Sequence, residues 1–124
     1  MLSISDSELE ILGVLWEKGE PMAFGELLKG FNAKTGRGWK KQTLGTFLTR
    51  MQYKGQVEAF GGTRKQYQPC ISREEYVKEI SRKFLDKYYE GSFAKMFAAL
   101  SGGDELDRDK SGELRRMLRE WERE

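Results

Sequence analysis

The sequence of 124 residues contains no histidine and only one cysteine, Cys70. A disulfide within the chain and a zinc finger of the usual cysteine and histidine type are therefore excluded. No apolar run approaches the ~20 residues that a membrane-spanning helix needs, and no basic flank followed by an apolar run indicates a signal peptide. We therefore expect a cytoplasmic protein without membrane insertion. Because Cys70 follows Pro69 and precedes Ile71, we expect it to be a small apolar filler.

Groups that perform catalysis are also scarce. The chain has no P-loop and no pairing of a nucleophile with a base, and its carboxylates are scattered along segments of solvent-exposed type. We therefore expect no enzymatic activity, no metal site and no cofactor.

What the chain does contain is a concentration of positive charge in residues 29–68. This window holds nine lysine and arginine residues and one acidic residue, Glu58, although the net charge of the whole chain is only +2. Clustered cations neutralise phosphates and release counterions, which is the main source of affinity for nucleic acid. A run of charge is more often a solvated surface, but this run coincides with a structural motif.

The motif is a helix followed by a β-hairpin. Four apolar residues recur at the i, i+3, i+4, i+7 spacing of one helical face: Leu44, Phe47, Leu48 and Met51. Period-two alternation then brackets Gly61-Gly62-Thr63, which predicts a hairpin with a flexible tip. A basic helix followed by a basic hairpin is typical of a winged helix-turn-helix, in which the helix enters the major groove and the hairpin contacts the DNA backbone.

The third helix supplies the predicted DNA contacts. Residues off its apolar stripe and in its first turns are expected at base edges: Gln42, Thr43 and Thr46. Basic residues on this helix and at the hairpin tip are expected to bind phosphates: Lys40, Lys41, Arg50, Arg64 and Lys65.

The remaining segments are predicted to be helical. Ser5-Asp6-Ser7-Glu8 and Ser72-Arg73-Glu74-Glu75 have the pattern of capping boxes, and Gly91-Ser92 interrupts the long helix that follows the second one. The predicted fold class is mainly α with a small β-hairpin. A winged helix-turn-helix domain is expected over residues 1–71 and a helical dimerisation domain over residues 72–124.

The helical segment after residue 71 carries more apolar surface than it can bury alone. A symmetric dimer would bury this surface and would match a palindromic DNA site. We expect eight residues in the dimer interface: Tyr76, Ile80, Phe84, Tyr88, Phe93, Phe97, Leu118 and Trp121.

Over essentially its full length, the chain resembles the penicillinase-repressor (BlaI/MecI-type) family of bacterial winged-helix repressors. The resemblance rests on the order and spacing of these segments: Ile4–Leu12, Val14–Trp16, Trp39, Thr43–Leu44, Thr46, Leu48–Arg50, Lys54–Gly55, Tyr67–Pro69, Ser72–Tyr76, Ser81–Asp86 and Gly91–Phe93. It implies a homodimeric repressor that binds palindromic operators of an antibiotic-resistance-type operon. It also implies induction by a membrane sensor metallopeptidase whose signal leads to proteolysis of the repressor.

Several positions depart from the family pattern. Lys40 replaces the usual Ser or Thr that caps the recognition helix, and Gly45 stands where a longer side chain is common. The family's cleavage position falls on Ala99-Leu100, where other residues occur. The cysteine-rich motif of copper-responsive relatives is missing, so copper control is not expected. The alternative function is a winged helix that serves as a protein-interaction module, without sequence-specific DNA binding.

Overall fold

The fold is taken from a computed structural model, which describes residues 3–101 and 108–122. These residues form six helices and three short strands, and the chain divides into two compact units after Val77. The helices are α1 (Asp6–Lys18), α2 (Phe24–Thr35), α3 (Lys41–Tyr53), α4 (Arg73–Tyr89), α5 (Phe93–Leu100) and α6 (Arg108–Glu122). The strands are β1 (Met22–Ala23), β2 (Val57–Phe60) and β3 (Gln66–Pro69). The predicted fold class is confirmed.

Helix α1 begins at the predicted capping box. The Ser5 backbone N–H donates to Glu8 Oε1 at 2.8 Å, and Ser5 Oγ accepts from the Glu8 backbone N–H at 3.3 Å. The helix ends at Gly19, whose φ of 74° is the left-handed conformation that glycine adopts at low cost. Local sequence therefore determines both ends of α1.

The β-hairpin is part of a three-stranded antiparallel sheet of order β1-β3-β2. Strand β1 was not predicted, because two residues are too few to display alternation; Met22 pairs with Tyr67 in β3. The hairpin turn spans residues 61–65, slightly longer than the predicted tip. At Gly61 φ is 94°, and a β-carbon would lie 2.8 Å from the Arg64 carbonyl oxygen, so this corner of the turn requires glycine.

One hydrophobic core joins the helices and the sheet of the first unit. Its fully buried large side chains include Ile11 and Leu12 from α1, Phe31 from α2, and Leu44 and Leu48 from α3. The helical stripe predicted from spacing in α3 is therefore the face that packs inward.

The first unit extends beyond the predicted domain boundary after Ile71. The indole Nε1 of Trp16 donates to the Ile71 carbonyl oxygen at 2.9 Å, and the Tyr76 ring packs 5.8 Å from the Trp16 ring. The beginning of α4 is thus attached to α1.

Cys70 is exposed, so its prediction as an apolar filler was wrong. Strand β3 ends just before Cys70, and the Cys70 N–H donates to the Gln56 carbonyl.

Helix α4 starts at a variant of the predicted second capping box. Ser72 Oγ accepts from the Glu75 N–H at 3.1 Å, as predicted, but its hydroxyl also donates to the Glu75 carboxylate at 3.0 Å. The helix stops at Glu90 and Gly91, which both have positive φ values, and Ser92 Oγ caps α5 by accepting from the Lys95 N–H. The predicted interruption at Gly91-Ser92 is confirmed.

Candidate nucleic-acid interface

Helix α3 has one buried face and one exposed face. Leu44, Leu48 and Met51 are buried in the core, whereas the side chains proposed for base contacts, Gln42, Thr43 and Thr46, are exposed. The structure therefore brings the three predicted base-reading residues onto one accessible helical surface.

Two threonine hydroxyls on this surface are already engaged. Thr46 Oγ1 donates to the Gln42 carbonyl at 3.0 Å, and Thr49 Oγ1 donates to the Gly45 carbonyl at 2.9 Å. Each hydroxyl proton therefore serves the helix itself, and the oxygen keeps its capacity to accept a hydrogen bond. This arrangement limits the rotamers of both side chains, so their methyl groups have defined positions.

The start of α3 is held by contacts that the sequence analysis missed. The Asn32 side chain donates from Nδ2 to the Trp39 carbonyl at 2.9 Å and accepts from the Trp39 N–H at 2.8 Å. The Trp39 ring stacks on Phe47 of α3 at 4.6 Å and lies 4.3 Å from Phe31 of α2. Asn32 lies in the last turn of α2. The sequence signal for these contacts is an Asn seven residues before the Trp that precedes α3.

Three of the nine cations in the basic window face acidic residues of α1. Lys54 Nζ lies 2.7 Å from Glu8 Oε1, Arg37 Nη2 lies 2.6 Å from Glu10 Oε1, and Lys34 Nζ lies 3.2 Å from Glu17 Oε2. These pairs neutralise part of the positive charge that the sequence places between residues 29 and 68. The charge available to phosphates is therefore smaller than the composition of the window indicates.

The five predicted phosphate-binding residues are exposed, and none forms an ion pair within the part of the chain that the structure describes: Lys40, Lys41, Arg50, Arg64 and Lys65. Lys40 is the N-cap residue of α3 and supplies no side-chain cap, so the start of the helix lies uncapped beside Lys40 and Lys41. A helix N-terminus with adjacent cations is suited to bind phosphate.

Arg50 and the hairpin tip extend this charge on either side. The Arg50 guanidinium lies over the Phe47 ring at 5.2 Å from its centroid, which holds the charge against the exposed side of α3. Arg64 and Lys65 lie in the exposed turn of the hairpin. The start of α3, its flank and the tip of the hairpin together carry five cations that form no ion pair in the described part of the chain.

The Glu8–Lys54 pair is the most buried of the ion pairs. Glu8 has no exposed surface, and Lys54 Nζ contacts both of its carboxylate oxygens, at 2.7 and 2.9 Å. Burial raises the pKa of the Glu8 carboxyl, but hydrogen bonds from Lys54 and Ser5 outweigh burial and hold that pKa below its ordinary value of 4.5. This pair links the first turn of α1 to the residue that follows α3.

In the second unit, most of the predicted dimer-interface residues are exposed apolar side chains: Ile80, Phe84, Tyr88, Phe93 and Leu118. Phe97 is half-buried against Phe93, with ring centroids 4.9 Å apart. Tyr76 lies in the first unit, where its ring packs against that of Trp16. The side chain of Trp121 lies outside the described part of the chain. An apolar groove of about 400 Å³ runs between α4 and α5, lined by residues that include Ile80, Phe84 and Phe93.

The predicted cleavage position lies at the end of α5. Ala99 and Leu100 are its last two residues; both are exposed, with 70% of Leu100 accessible to solvent.

Among residues 3–101 and 108–122, no cluster of His, Cys, Asp or Glu could hold a metal ion. No helix in these ranges is long and apolar enough to cross a bilayer.

The chain is similar in sequence to proteins of one known family. A family model described as penicillinase repressor matches residues 4–120. The penicillinase repressor of Bacillus licheniformis is 31% identical over 118 residues, which cover 94% of this chain and 90% of that protein. The methicillin resistance regulatory protein MecI of Mammaliicoccus sciuri is 25% identical over 116 residues, or 93% and 92% of the two chains. A crystal structure of M. tuberculosis Rv0081 is similar with a TM-score of 0.47 and 22% identity, over 70% of this chain and 81% of that one.

Proposed function

This chain belongs to the penicillinase repressor family, and from that premise we propose that it represses transcription as a homodimer bound to palindromic operators. It is a transcriptional repressor and not an enzyme. The names of its relatives refer to penicillinase and methicillin resistance, so the proposed target is an antibiotic-resistance-type operon. The proposed location is the cytoplasm, where a bacterial repressor meets its DNA.

The observation that carries the DNA-binding proposal is the exposed surface of α3 with its five flanking cations. Three side chains suited to base edges share one face, Lys40 and Lys41 flank the helix start, and the hairpin adds charge at its tip. Phosphate contacts would set the register of α3 in the major groove, and base contacts would select the sequence.

Alanine in place of Thr43 or Thr46 is expected to reduce operator affinity about fivefold per half-site, which corresponds to roughly 1 kcal/mol for a lost base contact. Binding to random DNA should change little, because its affinity comes from phosphates. Fluorescence anisotropy with both duplexes measures the ratio of the two affinities. Thr35→Ala is the control, since the Thr35 hydroxyl, like that of Thr46, donates to a carbonyl of its own helix but lies on α2. Equal losses on both duplexes would mean that these threonines only position the protein.

Glutamine in place of both Arg64 and Lys65 is expected to flatten the salt dependence of DNA binding by about two units of slope per protomer. The control is the double substitution of Lys34 and Arg37 by glutamine, which removes the same charge from cations already paired with acids. The slope of log Kobs against log salt concentration should change much less in that control. An unchanged slope in the Arg64 and Lys65 variant would exclude the wing from phosphate binding. A flat slope in the unmodified protein would favour the alternative, a protein-interaction module.

Homodimerisation is proposed from the second unit. Several large apolar side chains of α4 to α6 are exposed in the single chain, and a second copy of the same face would cover them. A twofold protein would also place two α3 helices on two half-sites one helical turn, or a multiple of it, apart.

Induction by proteolysis is proposed at the Ala99-Leu100 bond. The support is its exposure at the C-terminal end of a short helix, where few backbone hydrogen bonds must open to admit a protease. By resemblance to the family, the signal would come from a membrane sensor metallopeptidase.

A further inference from the structure

A recess lies in the middle of the exposed face of α3, directly over Gly45. This shallow recess is bordered by Gln42 one turn before the glycine, by the adjacent Thr46, and by Thr49 and Arg50 one turn after it. The recess therefore occupies the surface that the proposed function assigns to the major groove.

Nothing inside the described chain requires glycine at this position. The φ value of Gly45 is negative, as in any helical residue, and a β-carbon added there would have no neighbour within 4 Å. Glycine in a helix interior is nevertheless costly relative to alanine. Glycine at this position leaves room for the close approach of a group from outside the chain.

The chemistry of the recess favours an apolar group. The hydroxyl protons of Thr46 and Thr49 are donated to carbonyls of α3 at 3.0 and 2.9 Å, so neither is available to an acceptor on a base. These two residues can offer their methyl groups and oxygens that only accept hydrogen bonds. Arg50 is drawn toward the Phe47 ring at one edge, and Gln42 provides an amide at the other.

We propose that this recess receives the 5-methyl group of one thymine in each operator half-site. The thymine methyl is the one apolar group that a base pair presents in the major groove, and threonine methyl groups are suited to contact it. A phosphate would need several donors, and the recess offers Arg50 and the Gln42 amide at its edges only. This inference rests on the proposed DNA-binding function and adds a specificity-determining residue, Gly45, to it.

The test uses the full-length protein and an operator duplex selected by that protein from a random-sequence library. Each thymine is replaced in turn by deoxyuridine, which removes only the methyl group. One symmetric pair of positions should show an affinity loss of about fourfold per half-site, the value of one buried methyl-sized group. The other replacements should have smaller effects.

The Gly45→Ala variant provides the second half of the test. It is expected to bind the thymine operator less tightly than the unmodified protein and to show no further loss with deoxyuridine at the sensitive pair. Its thermal unfolding temperature should be equal or higher. Gly25→Ala is the matched control, because Gly25 also lies in a helix with no atom within 4 Å of an added β-carbon, but on α2. That control should keep the full deoxyuridine effect.

The outcomes separate the two proposals. If the protein selects an operator but no deoxyuridine replacement weakens binding, or if Gly45→Ala keeps the deoxyuridine effect, the recess does not receive a thymine methyl and the inference is overturned. If no sequence is enriched from the library, the proposed function itself fails, and the inference fails with it.

Discussion

Glutamate in place of Phe84 is expected to convert the repressor into a monomer and to weaken operator binding by about 10²- to 10⁴-fold. The Phe84 side chain is 48% exposed in the single chain and lines the apolar groove between α4 and α5. A buried carboxylate without a partner would strongly oppose association. A single winged helix makes few contacts with DNA. In the dimer, binding of the first winged helix holds the second at a high effective concentration near its half-site, and loss of the dimer removes this advantage.

Analytical ultracentrifugation measures the oligomeric state, and titration with full and half operators measures the affinity. Lys78→Gln changes the net charge by the same amount on an exposed position of α4 and should leave both properties unchanged. Phe93→Glu, on the other side of the groove, should behave like Phe84→Glu. Far-UV circular dichroism establishes that the variants remain helical. A Phe84→Glu protein that stays dimeric, or a monomer that binds the palindrome with full affinity, would contradict the proposed assembly.

Two further forms of the chain test the same dimer. Cleavage between Ala99 and Leu100 is expected to release DNA without altering α3. A fragment that ends after Val77 retains the contact between Trp16 and Tyr76 and should remain folded as a monomer. It is preferable to a fragment ending at Ile71, which would lose the Tyr76 ring that covers Trp16.

Methionine in place of Lys54 is expected to reduce the free energy of unfolding by about 3 kcal/mol at neutral pH, because it leaves the buried Glu8 carboxylate without its cation. Lys54→Met keeps most of the side-chain volume. The decrease in the free energy of unfolding therefore reflects the missing charge more than altered packing. Urea denaturation at pH 7 measures it. The control Lys34→Met removes an exposed pair with Glu17 and should cost less than about 1 kcal/mol.

The pH dependence of this loss follows from the pKa of Glu8. Its pKa in the folded protein is below 4.5, so the ionised pair contributes stability above the unfolded value, and this contribution is lost as pH falls through the folded pKa. In Lys54→Met, burial without the cation raises that pKa. As pH falls from the raised pKa of the variant, through 4.5, to the lowered pKa of the unmodified protein, Glu8 becomes protonated first in the variant and then in the unmodified protein. The difference in stability is therefore expected to be largest near pH 7 and to shrink over this range. Adding Glu8→Gln to Lys54→Met should recover part of the loss. A loss that does not depend on pH would indicate that Lys54 acts through packing alone.

Much of the fold could be predicted from the sequence because its signals are local. A capping box spans four residues, a helical stripe repeats within two turns, and a hairpin glycine acts within its own turn. These signals correctly placed the start of α1, the buried face of α3, the hairpin and the interruption after α4. They also indicated which residues of α3 are exposed, since residues off the apolar stripe must face away from the core.

Only the tertiary structure decided which charges are free and how α3 is held. Lys54 pairs with Glu8 across 46 residues of sequence, and Arg37 pairs with Glu10 across 27. The composition of the basic window therefore includes these two cations in the charge available to DNA, although each is paired in the folded chain. The two-residue strand β1 exists only because β3 offers it hydrogen bonds. Tyr76 was assigned to the dimer from its helical spacing, but Trp16 contacts it within the chain. Spacing along a helix determines which face a residue occupies, whereas the partner of that face depends on segments that meet only after folding.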